Sequence, residues 1–92
     1  IKINNTYTYN SENETLYKKD ESIDLSKKET LLLKALSKDI KTIKSKDELK
    51  LFIWNDTNTS DVTLRTVIKR VKDKIKDDDF IVSKKGKGYI VE

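Results

Sequence analysis

Two short stretches fix where helices begin. Ser26-Lys27-Lys28-Glu29 and Ser45-Lys46-Asp47-Glu48 both read Ser-x-x-Glu just before apolar residues. In this pattern the serine hydroxyl takes the N–H of the third helical residue. The glutamate reaches back to the serine N–H, so two otherwise orphaned donors are satisfied together. The first box opens a helix whose Leu32, Ala35 and Leu36 share a face and which runs to about Lys38. The second opens a helix with Leu49, Phe52 and Ile53 on one face and Trp54 at its end. No proline interrupts either.

The residues before the first box alternate with a period of two. Ile1 and Ile3 alternate with Lys2 and Asn4, and Tyr7 and Tyr9 flank Thr8. Leu16 and then Ile23 and Leu25 give two more apolar edges, separated by the polar stretches 10–14 and 18–22. This predicts a four-stranded antiparallel meander over residues 1–25, with one apolar face. After the second helix, Asn55, Asp56, Thr57, Asn58, Thr59 and Ser60 are a loop by composition. A third helix follows from Ser60 or Asp61 to about Lys76. Its Leu64, Ile68, Val71 and Ile75 form one buried stripe. Val62, Thr66, Lys69, Arg70 and Asp73 lie opposite, flanked by Arg65, Lys72 and Lys76. Residues 80–92 read as two β-rich runs around a Lys/Gly tip, a hairpin. The expected class is α+β, in one domain over residues 1–92: sheet 1–25, three-helix core 26–76, hairpin 80–92.

Charge is distributed unevenly. Residues 1–61 carry 11 Lys and 11 acids, a balance of zero, and residues 62–92 carry 9 basic and 5 acidic residues. The net charge of +4 therefore sits entirely in the last third, together with both arginines. Within residues 62–76 six bases face one acid. On composition alone this is either a phosphate-binding surface or a solvated, Lys-rich helix.

Several classes are excluded. The chain has no Cys and no His, so it offers no disulfide frame, no thiolate metal site and no imidazole base. No apolar run approaches the ~20 residues of a membrane helix, there is no signal-peptide pattern, and no metal, cofactor or membrane is expected. Asp77-Asp78-Asp79 reads as a solvated helix end, since three consecutive carboxylates cannot converge on one ion unaided. No phosphate-cradling Gly-rich loop or hydrolase motif stands in the sequence, so catalysis is not expected. Position 1 is Ile rather than Met, and the chain is read as a piece of something longer.

The third helix and the hairpin tip carry the remaining chemistry. An α-helix fits the major groove of DNA, and its outward side chains reach base edges. The Arg70 fork suits guanine O6 and N7, while Thr66 and Val62 suit a thymine methyl. Lys69 and Lys72 suit phosphates. The tip residues Lys84, Lys85 and Lys87 would be an ordinary exposed turn in isolation. Beside a basic helix they form a second contact to the same duplex.

The order of elements resembles the winged-helix DNA-binding effector domain of OmpR/PhoB-type bacterial response regulators. The likeness covers essentially the whole chain. It is carried by Leu25-Ser26-Lys27-Lys28-Glu29 with Leu32-Leu33, Lys46-Asp47-Glu48-Leu49 to Trp54, Thr63–Ile75 around Ile68-Lys69-Arg70-Val71-Lys72, and Gly86-Lys87-Gly88-Tyr89. The last resembles the G-x-G-Y wing motif. The resemblance implies a winged helix-turn-helix whose third helix enters the major groove while the hairpin touches the adjacent backbone or minor groove. It implies DNA contacts at Val62, Thr63, Arg65, Thr66, Lys69, Arg70, Lys72, Lys84, Lys85, Lys87 and Tyr89. It also implies a polymerase-facing loop at Asn55, Asp56, Thr57, Asn58 and Thr59. Val62 stands where many relatives have Arg, Arg65 where an acid is common, and Val67 where His is frequent. The implied partners are double-stranded promoter DNA, RNA polymerase and a receiver domain of the same chain. The isolated domain is expected to be a monomer that dimerises on DNA in the bacterial cytoplasm. The rival expectation is a winged-helix module that binds protein instead.

Overall fold

The computed structural model describes residues 2–39 and 41–91. Strands β1 (Tyr7–Asn10), β2 (Thr15–Lys18) and β3 (Glu21–Ile23) precede helices α1 (Lys27–Lys38), α2 (Lys46–Trp54) and α3 (Asp61–Ile75). A hairpin of β4 (Ile81–Lys84) and β5 (Gly88–Val91) closes the order.

The N-terminal sheet is an antiparallel β1-β2-β3 meander, with Tyr9 opposite Leu16 and Leu16 opposite Ile23. It has three strands, not the expected four. Ile1, at the start of the expected first strand, lies outside the described residues. The rest of that strand is reduced to a single bridge between Lys2 and Thr8. The cause is Asn4. Its Oδ1 accepts the N–H groups of Thr6 (2.8 Å) and Tyr7 (2.9 Å), and the Ile3 N–H donates to the Tyr7 carbonyl (2.9 Å). A side chain that satisfies nearby backbone donors turns the chain before a ladder can extend. Ile3 is still buried in the core.

Both capping boxes form. The Ser26 and Ser45 hydroxyls accept from the N–H of Glu29 and Glu48, whose side chains bond back to the serine N–H groups. Ser60 caps α3, accepting from the Thr63 N–H at 3.2 Å. Leu32, Leu33 and Leu36 of α1 meet Leu49 and Ile53 of α2 and Leu64, Ile68 and Val71 of α3 in one core, which Tyr7, Tyr9 and Leu16 continue under the sheet. Helix α1 touches α2, α3, β1, β2 and β5, so it is the hub of the packing.

Phe52 departs from the expected face. It is 41% exposed, and its neighbour Leu51 is also exposed. Helix α2 turns the arc of Leu49, Lys50 and Ile53 inward instead. Lys50 is buried because its ammonium reaches Asp61 Oδ1 at 2.6 Å, while its aliphatic stem packs like an apolar chain.

In the hairpin, Ile81 faces Val91 and Lys84 faces Gly88. The Lys87 N–H bonds to the Lys84 carbonyl at 2.9 Å, and Gly86 takes φ +75°, as the third position of a type II turn requires. Lys44, in the connection between α1 and α2, joins the far edge of β5. Its N–H donates to the Tyr89 carbonyl (2.8 Å), and the Tyr89 N–H donates to the Lys44 carbonyl (2.9 Å).

Candidate nucleic-acid interface

Helix α3 divides cleanly between two faces. Leu64, Val67, Ile68, Val71 and Ile75 are buried. Val62, Thr66, Lys69, Arg70 and Asp73 are exposed on the opposite side, with Arg65 and half-buried Lys72 flanking them. Val67 adds a fifth member to the expected four-residue stripe. Val62 is 62% exposed, so its side chain takes no part in the core.

The exposed cations are only lightly engaged. Lys69 lies 3.7 Å from Asp73, with both side chains largely in solvent. A surface pair of this kind is worth ~0.3–0.5 kcal/mol, so Lys69 can exchange Asp73 for a phosphate at small cost. Arg70 makes no hydrogen bond or ion pair among the described residues. It lines a hollow between α3 and the start of α1, with Lys28, Trp54 and Thr66. The Thr66 hydroxyl donates to the Val62 carbonyl at 2.8 Å, so its methyl is the group it can offer outward. Thr63 Oγ1 lies 2.8 Å from the Ser60 hydroxyl and is part of the helix cap.

On the other flank, a cleft between α3 and the hairpin brings together Lys46, Asp61, Arg65, Lys84 and Lys85. Lys85 and Lys87 are exposed at the hairpin tip, and Lys84 is half-buried. Tyr89 belongs to the core wall instead: it is 7% exposed. Asp61 is the acid of this cleft. Its Oδ1 takes Lys50 and its Oδ2 takes Lys46 at 3.2 Å. Those two hydrogen bonds, Lys50 first, hold its carboxyl below the usual carboxylate range. Its place in the first turn of α3 also suits the positive end of the helix dipole. Lys46 and Asp61 line this cleft as a pair that sequence spacing did not reveal, since it spans 15 positions across two helices.

The loop expected to face polymerase is a compact turn. Asn55 adopts the left-handed conformation that ends α2, and Asp56 Oδ1 accepts the Asn58 N–H at 2.9 Å. The Asp56 carbonyl accepts the Thr59 hydroxyl at 3.0 Å. Asn55 to Asn58 are exposed.

The acidic run at the end of α3 has a structural task. Asp77 Oδ2 accepts the Tyr7 hydroxyl at 2.7 Å, and its Oδ1 accepts the Asp79 N–H at 3.0 Å. Burial, then the Asp77 contact, pushes the Tyr7 phenol far above its ordinary range. Lys18 Nζ donates to the Ile75 carbonyl at 2.8 Å, supplying the cation that a helix C-terminus favours. Buried Glu29 at the start of α1 holds Lys74 at 2.5 Å. Burial works against its charge, but Lys74 and the Ser26 N–H outweigh it and hold the carboxyl low. Among the described residues, no group of three or more His, Cys, Asp or Glu is placed to hold a metal ion, and no helix is long and apolar enough to cross a membrane.

Three helices with an exposed cationic third helix, an antiparallel sheet before them and a basic hairpin after them define a winged-helix domain. The chain belongs to the family of C-terminal domains of transcriptional regulatory proteins, whose model matches residues 20–91. That family consists of transcription regulators rather than enzymes. Among solved structures, the chain is similar to the DNA-binding domain of Klebsiella pneumoniae RstA in complex with the RstA box. The TM-score is 0.83 at 22% identity, covering 94% of this chain and 90% of that one. It is also similar to the Thermotoga maritima response regulator DrrB, an OmpR/PhoB homolog. There the TM-score is 0.81 at 28% identity, over 94% of this chain and 41% of that one. A third match is to redox sensors of the streptococci that evolved from two-component response regulators, with a TM-score of 0.80 at 20% identity. That match covers 97% of this chain and 40% of that one. The chain thus spans about two fifths of the length of the latter two proteins.

Proposed function

We propose that this chain is the output domain of a bacterial two-component response regulator and binds double-stranded promoter DNA sequence-specifically. Helix α3 lies in the major groove, and the β4–β5 hairpin touches the neighbouring backbone or minor groove. Lys69, Lys72, Lys85 and Lys87 neutralise phosphates, while Arg70, with Thr66 and Val62, reads bases. One observation carries this: the exposed face of α3 and the hairpin tip gather the chain's excess positive charge, with Arg70 unpartnered among the described residues. The turn at Asn55–Thr59 faces RNA polymerase. Two copies occupy half-sites about one helical turn (~10–10.5 bp) apart. A receiver domain elsewhere in the same cytoplasmic protein controls that assembly.

The test is binding to genomic promoter fragments against random duplex DNA at two salt concentrations. Preferential retention of promoter DNA is expected, with log affinity falling by ~0.9 per neutralised phosphate for each unit of log salt. Equal binding to both pools removes sequence specificity, and no salt dependence removes the phosphate contacts. A second reading, a protein-binding winged helix, draws on exposed Leu51 and Phe52. It predicts that substituting those two abolishes partner binding and that no DNA is retained.

A further inference from the structure

Arg65 and Asp61 are four positions apart on α3, the spacing at which an acid and a base pair on a helix surface. They do not pair. Asp61 is already held through both oxygens by Lys50 and Lys46, and Lys50 is buried, with its side chain 8% exposed. A buried ammonium holds on to its carboxylate, because without it the charge is stranded away from water. Arg65 is therefore left exposed, with no hydrogen bond or ion pair among the described residues. Lys46, Lys84 and Lys85 line the same cleft.

Position favours bases over phosphates. Arg65 is the fifth residue of α3, and the N-terminal residues of a recognition helix are those that contact base edges. At ~100° per residue, Arg65 lies roughly 60° to one side of Val62, and Arg70 roughly 80° to the other. The two arginines straddle the outward face, one toward the hairpin and one toward α1. They are five residues apart, about 7.5 Å along the helix axis, or about two base steps.

We propose that Arg65 is a second base-reading arginine, which takes guanine O6 and N7 on the hairpin side of the major groove about two base steps from the base read by Arg70. This rests on the DNA-binding reading above. It makes the half-site a pair of spaced guanines rather than one.

The experiment is selection of a bound sequence from random duplex DNA by the protein. Affinities for every single-base variant of that site are then measured for wild type, Arg65→Ala, Arg65→Lys and Arg70→Ala. Arg65→Ala should lose roughly 5- to 150-fold of discrimination at one guanine, displaced about two steps from the position lost in Arg70→Ala. Arg65→Lys should lose the same discrimination while keeping the salt slope, since lysine keeps the charge but not the fork. Arg65 makes no hydrogen bond or ion pair among the described residues, so the melting temperature should barely move. The proposal is overturned if Arg65→Lys keeps full discrimination. It is also overturned if Arg65→Ala weakens all variants equally with a salt slope lower by ~0.9. Failure of the wild type to select any sequence overturns the DNA-binding reading itself.

Discussion

Gly86 and Gly88 stand two residues apart and serve different ends. Gly86 faces open space and only needs its positive φ. Gly88 combines φ +143° with a closed surround: a Cβ there would lie 2.0 Å from the Lys44 carbonyl oxygen. At Gly88 the missing side chain lets the chain's own backbone come close, in the bridge that ties the hairpin to the α1–α2 connection. Gly86→Ala should cost about 1 kcal/mol of stability. Gly88→Ala should cost on the order of 3 kcal/mol or more, because the clash is with backbone. Denaturant unfolding of the two variants checks this, and equal losses would contradict it. Glu29 gives a pH prediction. Its carboxyl is held lower in the folded chain than unfolded, so its stabilisation is present above the unfolded value and is lost as pH falls through the folded one. Glu29→Gln should lower the unfolding midpoint at pH 7, and the gap should close as pH falls through and below the lowered Glu29 pKa. A gap independent of pH would show that Lys74 contributes nothing through charge.

At the scale of elements, the helix starts were legible because capping is local. Ser26, Glu29, Ser45 and Glu48 carry their whole chemistry within four residues. The hairpin, the buried stripe of α3 and the exposure of Lys69 and Arg70 were legible for the same reason, since periodicity sets them. The missing fourth strand was hidden because Asn4 competes for backbone donors that the alternation of Ile1 and Ile3 does not register. The rotation of α2 was hidden because Lys50 and Asp61, eleven residues apart, decide it together. That pair also sets the interface, as it takes Asp61 away from Arg65. Lys50→Met should leave the unfolding midpoint unchanged or raised, since a buried charge is removed and Asp61 stays half in water. The same change frees Asp61 Oδ1 for Arg65, so DNA affinity should fall. Asp61→Ala should lower the midpoint instead, by stranding Lys50. A fold that tolerates Asp61→Ala but not Lys50→Met would reverse this account.

Across the whole molecule, the far end of α3 is held by the N-terminal sheet. Tyr7 bonds Asp77 and stacks at 4.2 Å from Phe80, and Lys18 caps the Ile75 carbonyl. The acids at 77–79 follow the end of α3 opposite the Ser60 cap and Arg65, and Asp77 among them reaches the sheet through the Tyr7 hydroxyl. The sheet therefore acts as a strut that fixes the axis of α3 without contributing to the charged surface. Tyr7→Phe keeps the ring contact and deletes only the hydroxyl donated to a carboxylate. It should cost about 1.5–3 kcal/mol of stability. At temperatures where the variant remains folded, its DNA affinity and salt slope should match wild type, because no group that meets phosphate or base is altered. Unfolding and binding measured on the same preparation separate the two effects. Loss of affinity with stability intact would mean that the strut sets the pose of α3 on DNA rather than only its hold on the fold.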